Sequence, residues 1–258
     1  MKPIKQSVSL PMFRKREPDQ KALIHLVREL GFDGIELWGR KPDFEAIAGA
    51  AREAGLEICA MVATSTPLND PALHEKAQQE IDLAIRLAAD HGVANLICFS
   101  GPRREGAGDP EGVEAIATAF RRVAPLAEER GVTLLLELLN SKVDHPGYQA
   151  DHTPFGVAVC QRVASPRVRL LYDIYHMQIM EGDLIRTLTE NLPYIGHFHT
   201  AGNPGRHEPD ASQEINYRAI AAALHTLDYD GYVGHEFSPC GDFRTALREA
   251  KAIFDREL

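Results

Sequence analysis

Val132-Thr133-Leu134-Leu135-Leu136-Glu137 is a short, almost unbroken apolar run closed by a carboxylate. A strand with one wet face alternates apolar and polar residues, whereas a strand covered on both faces reads as a continuous apolar run. Two-sided burial is the habit of parallel sheets, whose crossover helices lie against the faces. Val168-Arg169-Leu170-Leu171-Tyr172-Asp173 follows the same plan and also ends in a carboxylate. The reading of these two stretches therefore points to a parallel sheet, and the sequence on either side extends it.

Working outward, the chain repeats a short apolar run, a polar turn and a longer stretch of helical periodicity. The pattern predicts strands at Ser7–Pro11, Gly34–Trp38, Glu57–Ala63, Asn95–Ser100, Val132–Leu139, Val168–Tyr175, Ile195–Ala201 and Tyr232–Phe237. Helices are expected between them, among others at Gln20–Leu30, Asp43–Ala54, Pro71–His91, Val113–Arg130 and Tyr217–Leu227. Gly31, Gly55, Gly92 and Gly131 each follow the last periodic residues, where a helix commonly stops. Eight such units close naturally into a (β/α)8 barrel through right-handed crossovers. A doubly wound open sheet is the rival architecture, but no glycine-rich phosphate turn follows the first strand. With no linker or low-complexity segment, residues 1–258 are read as one TIM-barrel domain.

Composition bounds the function. The chain is 44% hydrophobic and 25% charged, enough to bury a substantial core, and its formal charge of -9 argues against a general nucleic-acid binder. No apolar run reaches the ~18 residues of a membrane span, and Met1–Arg16 lacks the apolar region of a signal peptide. A cytoplasmic protein without a membrane or nucleic-acid partner, acting on a small molecule, is expected. Cys59, Cys98, Cys160 and Cys240 are far apart and form no CxxC pair, as befits reduced thiols.

The ends of the last four strands carry the chemistry. Glu137, Asp173, His199 and Glu236 each close a strand, and parallel barrels gather those ends on one rim. Any one of them alone reads most simply as a strand-end charge turned to water. All four together would place three carboxylates side by side, which is costly without a cation or protons. Oxygen donors with one imidazole suit Mg2+ or Mn2+, and Co2+ and Zn2+ also fit. His197 shares the inward face of its strand with His199 but lies one layer deeper, so a buried partner is expected there. Beyond the strand ends, His176 is expected where the sixth strand gives way to a loop, able to touch substrate or to orient Asp173. Arg206, in the loop Gly205-Arg-His-Glu-Pro209, can grip an oxygen-rich substrate or pair with Glu208, itself a substrate-binding candidate. Lys142, in the polar loop Asn140–Tyr148, is placed to neutralise a carboxylate.

These motifs, Glu137-Leu-Leu-Asn-Ser141, Asp173-Ile-Tyr-His176, His197-Phe-His199, Gly205–Pro209 leading to Glu214-Ile-Asn-Tyr217, and Glu236, resemble the xylose-isomerase-like barrel superfamily of sugar phosphate isomerases and epimerases. Within it the chain is most similar to the hydroxypyruvate isomerase family. The resemblance covers the whole chain in plan, with its specific motifs between Glu137 and Glu236. It implies a divalent metal on Glu137, Asp173, His199 and Glu236, with Glu137 and Glu236 also the acid/base pair that moves a proton between adjacent carbons through an enediolate. The expected substrate is a short hydroxy-oxo acid such as hydroxypyruvate.

Two departures concern substrate choice. Hydroxypyruvate isomerases often carry Gln where this chain has His199, which is expected in ketose epimerases, and Gln6–Met12 lacks the Asn-Leu-Ser phrase of that family. A ketose 3-epimerase and an inosose-dehydratase-type lyase are thus the neighbouring readings. An abasic-site endonuclease shares the barrel but needs metal ligands on the early strands, which here end in Pro11, Trp38, Ala63 and Ser100. Barrels of this kind are frequently dimeric or tetrameric, so a homo-oligomer is compatible with the reading.

Overall fold

The repeated strand and helix signals resolve into a closed ring of eight parallel strands in the computed structural model, which describes residues 3–39 and 43–255. The strands are β1 (Lys5–Ser9), β2 (Gly34–Leu37), β3 (Glu57–Val62), β4 (Asn95–Cys98), β5 (Thr133–Leu138), β6 (Val168–Asp173), β7 (Ile195–Thr200) and β8 (Tyr232–His235). Each pairs with the next, and β8 closes on β1 through the register Lys5↔Tyr232 to Val8↔His235. The expected (β/α)8 barrel is what the chain forms.

Two apolar layers follow from strand alternation. Residues facing out pack against the helices in a large cluster that contains Phe32, Phe120, Tyr172 and Phe198. Burying each of these aromatics contributes roughly 1.5–3 kcal/mol. Residues facing in form a second, smaller cluster of Cys59, Ala60, Ile97, Leu135, Leu171 and Tyr232, so the barrel is filled rather than hollow. Leu135 and Leu171 lie two residues before Glu137 and Asp173, which makes this plug the floor beneath the strand-end carboxylates. Helix ends obey the predicted stops: Gly31, Gly55, Gly92 and Gly131 all take left-handed φ, between 70° and 84°.

Most strands end one or two residues short of the expected ranges, and three boundaries shift for a reason visible in the side chains. β1 runs Lys5–Ser9 instead of Ser7–Pro11, because Pro11, which has no N–H to give a ladder, opens the short helix Leu10–Phe13. The helix predicted from Val113 begins at Asp109, with Pro110 in its first turn and Glu111 reaching back to the Gly108 N–H. β6 stops at Asp173, whose side chain accepts from the His176 N–H and caps the helix Ile174–Met180. His176 therefore sits on the first turn of a helix, not in a loop. The four cysteines are unpaired, with Cys59, Cys98 and Cys160 buried. No helix among the described residues is long and apolar enough to cross a membrane.

Candidate active site

Strand alternation turns Glu137, Asp173, His199 and Glu236 into the barrel, and register sets two of them side by side, since Asp173 of β6 pairs with His199 of β7. Glu236 lies one residue past β8 yet stays in line, its N–H donating to the Thr200 carbonyl at 3.1 Å. One donor atom from each of the four comes within 4.8 Å of the others, and all four residues are buried. His199 Nδ1 is the hub: it lies 3.5 Å from Glu137 Oε1 and 3.5 Å from Glu236 Oε2, and it makes no hydrogen bond. A buried, unpartnered imidazole nitrogen ringed by three carboxylates is a donor set that suits a divalent cation.

The two glutamates sit in unlike surroundings. Burial pushes Glu137 up to about 7, against the pull of His199, with Glu236 adding repulsion. Glu236 is equally buried, but His199 and Arg206 outweigh that penalty and hold it down at about 2. Its oxygens are also occupied: Trp38 Nε1 donates to Oε1 at 3.1 Å and Arg206 Nη2 to Oε2 at 2.5 Å. Burial raises Asp173. His199, which burial alone would lower, is held well above its ordinary value by Glu36 and Glu236.

The mouth is a pocket of ≈ 340 Å³ whose walls include Val62, Ile97 and Phe99 on one side and Glu137, His199, Arg206 and Glu236 on the other. A larger depression of ≈ 540 Å³ at the opposite, N-terminal end of the barrel is lined by Arg167, Arg169, Asp228 and Asp230 and contains none of the four.

The family model described as xylose isomerase-like TIM barrel matches residues 24–256. This chain belongs to that family. A human protein with the provisional name hydroxypyruvate isomerase is 30% identical over 273 residues, covering 99% of this chain and 97% of its own. Hydroxypyruvate isomerase of Escherichia coli K12 is 32% identical over 178 residues, 69% of this chain and 68% of that one. Among solved structures, an AP endonuclease, family 2, from Brucella melitensis superposes with a TM-score of 0.87 at 28% identity, over 95% of this chain and 97% of that one. The xylose isomerase-like chain described here is an enzyme of the isomerase kind.

The family barrel places the remaining sequence candidates unequally. Arg206 lines the pocket; it pairs with Glu236 rather than Glu208, and its Nε has no partner. His176 is fully buried behind Asp173: its Nδ1 meets Asn140 Nδ2 at 2.6 Å, its Nε2 lies 3.6 Å from Asp173 Oδ2, and burial keeps it neutral by lowering its pKa well below the ordinary value. The ring lies outside the pocket lining, its Nε2 makes no hydrogen bond, and it is the backbone N–H of His176 that bonds the aspartate. His197 is a buried partner, with Nε2 3.0 Å from Glu36.

Two candidates are drawn away from the pocket. Lys142, expected to neutralise a carboxylate, donates to the carbonyls of Ile179 and Met180 at 2.9 and 3.1 Å, where a cation meets the exposed carbonyls of a helix C-terminus. Glu208, expected at the substrate, accepts the N–H groups of Cys240 and Gly241 at 2.8 and 3.3 Å and ties its loop to the one after β8. Sequence reasoning missed Glu36 and Trp38. Glu36 stood two residues before the expected strand end at Trp38, so the one signal was a carboxylate inside an apolar strand, Ile35-Glu36-Leu37.

Proposed function

We propose that this enzyme is a metal-dependent isomerase of a short hydroxy-oxo acid, of the kind that converts hydroxypyruvate to tartronate semialdehyde through an enediolate. The observation that carries the reading is the meeting of Glu137, Asp173 and Glu236 around the unpartnered Nδ1 of His199. These four residues would hold the cation, Mg2+ or Mn2+ by their oxygen-rich donors. When bound, the cation polarises the substrate carbonyl and offsets the charge that develops as the adjacent C–H is broken.

The side chains of the chain supply the proton steps. One glutamate of the pair Glu137 and Glu236 takes the proton from the hydroxyl-bearing carbon of the oxo acid. The electron pair left behind forms the enediolate, the hydroxyl proton passes to the former carbonyl oxygen, and a proton returned to the neighbouring carbon completes the isomerisation with no net gain or loss of atoms. The contrast between the two glutamates supports such a division, because a pair whose environments differ can hold one proton between them. Arg206, with part of its guanidinium unused by Glu236, suits the carboxylate end of the substrate. Val62, Ile97 and Phe99 on the facing wall keep water from the enediolate.

His199 favours ketose 3-epimerisation as the second reading, since hydroxypyruvate isomerases often carry Gln there. The likeness to the Brucella AP endonuclease does not extend to endonuclease chemistry: β1 to β4 contribute no carboxylate or imidazole to the four-residue cluster. Incubation of the Mn2+-loaded protein with hydroxypyruvate in D2O tests the reading. Tartronate semialdehyde with deuterium on the carbon that has become the alcohol is expected. Inertness toward the acid combined with exchange in a ketose would replace the reading by epimerisation, and release of water by dehydration.

A further inference from the structure

We propose that Glu36 is a positioning residue that decides which nitrogen of His199 faces the cation: seated in the space left by Gly234, its carboxylate holds Nε2 and leaves Nδ1 free. The inference rests on the metal site proposed above and adds a residue from the opposite side of the barrel.

Glu36 is 2% exposed and reaches across the barrel interior from β2 to β7. Its Oε2 lies 2.7 Å from His199 Nε2, and its Oε1 accepts from Ser7 Oγ at 2.5 Å and meets His197 Nε2 at 3.0 Å. An ionised carboxylate only accepts, so each of these partners must present a hydrogen to it. His199 consequently carries its hydrogen on Nε2, and in the neutral ring the lone pair is confined to Nδ1. Nδ1 is the atom that stands 3.5 Å from both Glu137 and Glu236. Glu36 is not part of the four-residue cluster: its Oε2 is engaged on the far edge of the His199 imidazole and its Oε1 by Ser7 and His197.

A second observation shows that the fold makes room for this contact. A Cβ on Gly234 would lie 2.0 Å from Glu36 Oε1 and 2.9 Å from His199 Cδ2. Gly234 is not among the residues of positive φ, so its backbone does not call for glycine. What requires it is volume: the carboxylate occupies the place of a side chain on β8, between His199 and the barrel wall. Sequence position, burial and the missing side chain thus converge on one contact.

The test starts with the wild-type protein. In protein labelled with 15N at histidine and loaded with Zn2+, two-bond proton–nitrogen correlation is expected to show His199 with its hydrogen on Nε2 and Nδ1 coordinated. Coordination through Nε2 overturns the inference while leaving the metal site intact, whereas absence of Zn2+ binding removes both. Glu36→Gln and Gly234→Ala should each weaken Zn2+ binding by about 10–100-fold, the usual cost of losing support behind a ligand. A role confined to packing would lower the melting temperature and leave both affinity and ring spectrum unchanged. Wild-type affinity in folded Glu36→Gln likewise overturns the proposal, and if either variant fails to fold the wild-type spectrum still decides.

Discussion

The two halves of the barrel rim are made from the same strand–helix unit and present opposite surfaces. β5 to β8 lead to Glu137, Asp173, His199 and Glu236, while Trp38, Val62, Ile97 and Phe99 come from the end of β2 and from β3 and β4. Neither half makes a site alone. Carboxylates and an imidazole exposed to water would interact weakly, because solvent screens them. Facing an apolar wall, the same groups are desolvated, which raises the cost of leaving them unmatched and strengthens their hold on a cation or substrate. The division also has two crossings: Trp38 donates to Glu236, and Glu36 engages His199. The wall side is therefore not passive; it reaches over to restrain two of the four ionic residues.

Breaking the ionic half should have the largest effect. Glu137→Gln is expected to lower turnover by about 10²–10⁴-fold, the usual contribution of a positioned proton carrier, and to reduce bound metal measured by elemental analysis. Unchanged turnover would move the chemistry away from β5. Opening the apolar half should do less and do it differently. Phe99→Ala is expected to raise KM roughly 10-fold with kcat largely kept, as loss of a hydrophobic substrate contact does; a fall in kcat of the size predicted for Glu137→Gln would erase the distinction between the halves.

The smallest effect concerns stability and pH. Glu137 rises from its ordinary value of 4.5 to about 7 on folding. Folding then takes up a proton between those values, so the stability gained from the protonated carboxyl is full below about 4.5 and is lost as pH rises through about 7. Metal-free protein should accordingly melt a few degrees lower, relative to the Glu137→Gln variant, as pH climbs across that window. Scanning calorimetry of both proteins checks the sign, and a relative rise in melting temperature would place Glu137 in surroundings other than those described.

Much of this architecture is legible in the sequence. Apolar runs ending in Glu137 and Asp173 marked strands buried on both faces, and glycines after the helices marked their ends, because both are properties of a few neighbouring residues. Errors arose where a short-range feature had two readings. Pro11 reads as the end of a strand but opens a helix, and Asp173 closes a strand and caps the following helix with the same carboxylate. Lys142 and Glu208 read as site residues from their charge and their loops. Their partners turned out to be backbone groups at a helix end and in a neighbouring loop, which charge in a sequence does not announce.

By itself the sequence determined the barrel, its eight strands and the four strand-end residues that meet in the site. Periodicity of two along a strand decides which residues face inward together, and parallel pairing decides which ends share a rim. The tertiary structure alone decided who stands behind those four. Glu36 and His199 are far apart in sequence and meet only because closure of β8 on β1 wraps β2 round to face β7. The empty space at Gly234 that admits the carboxylate exists only in that closed register, since a missing side chain makes room for a partner only once the partner strand has been brought opposite it.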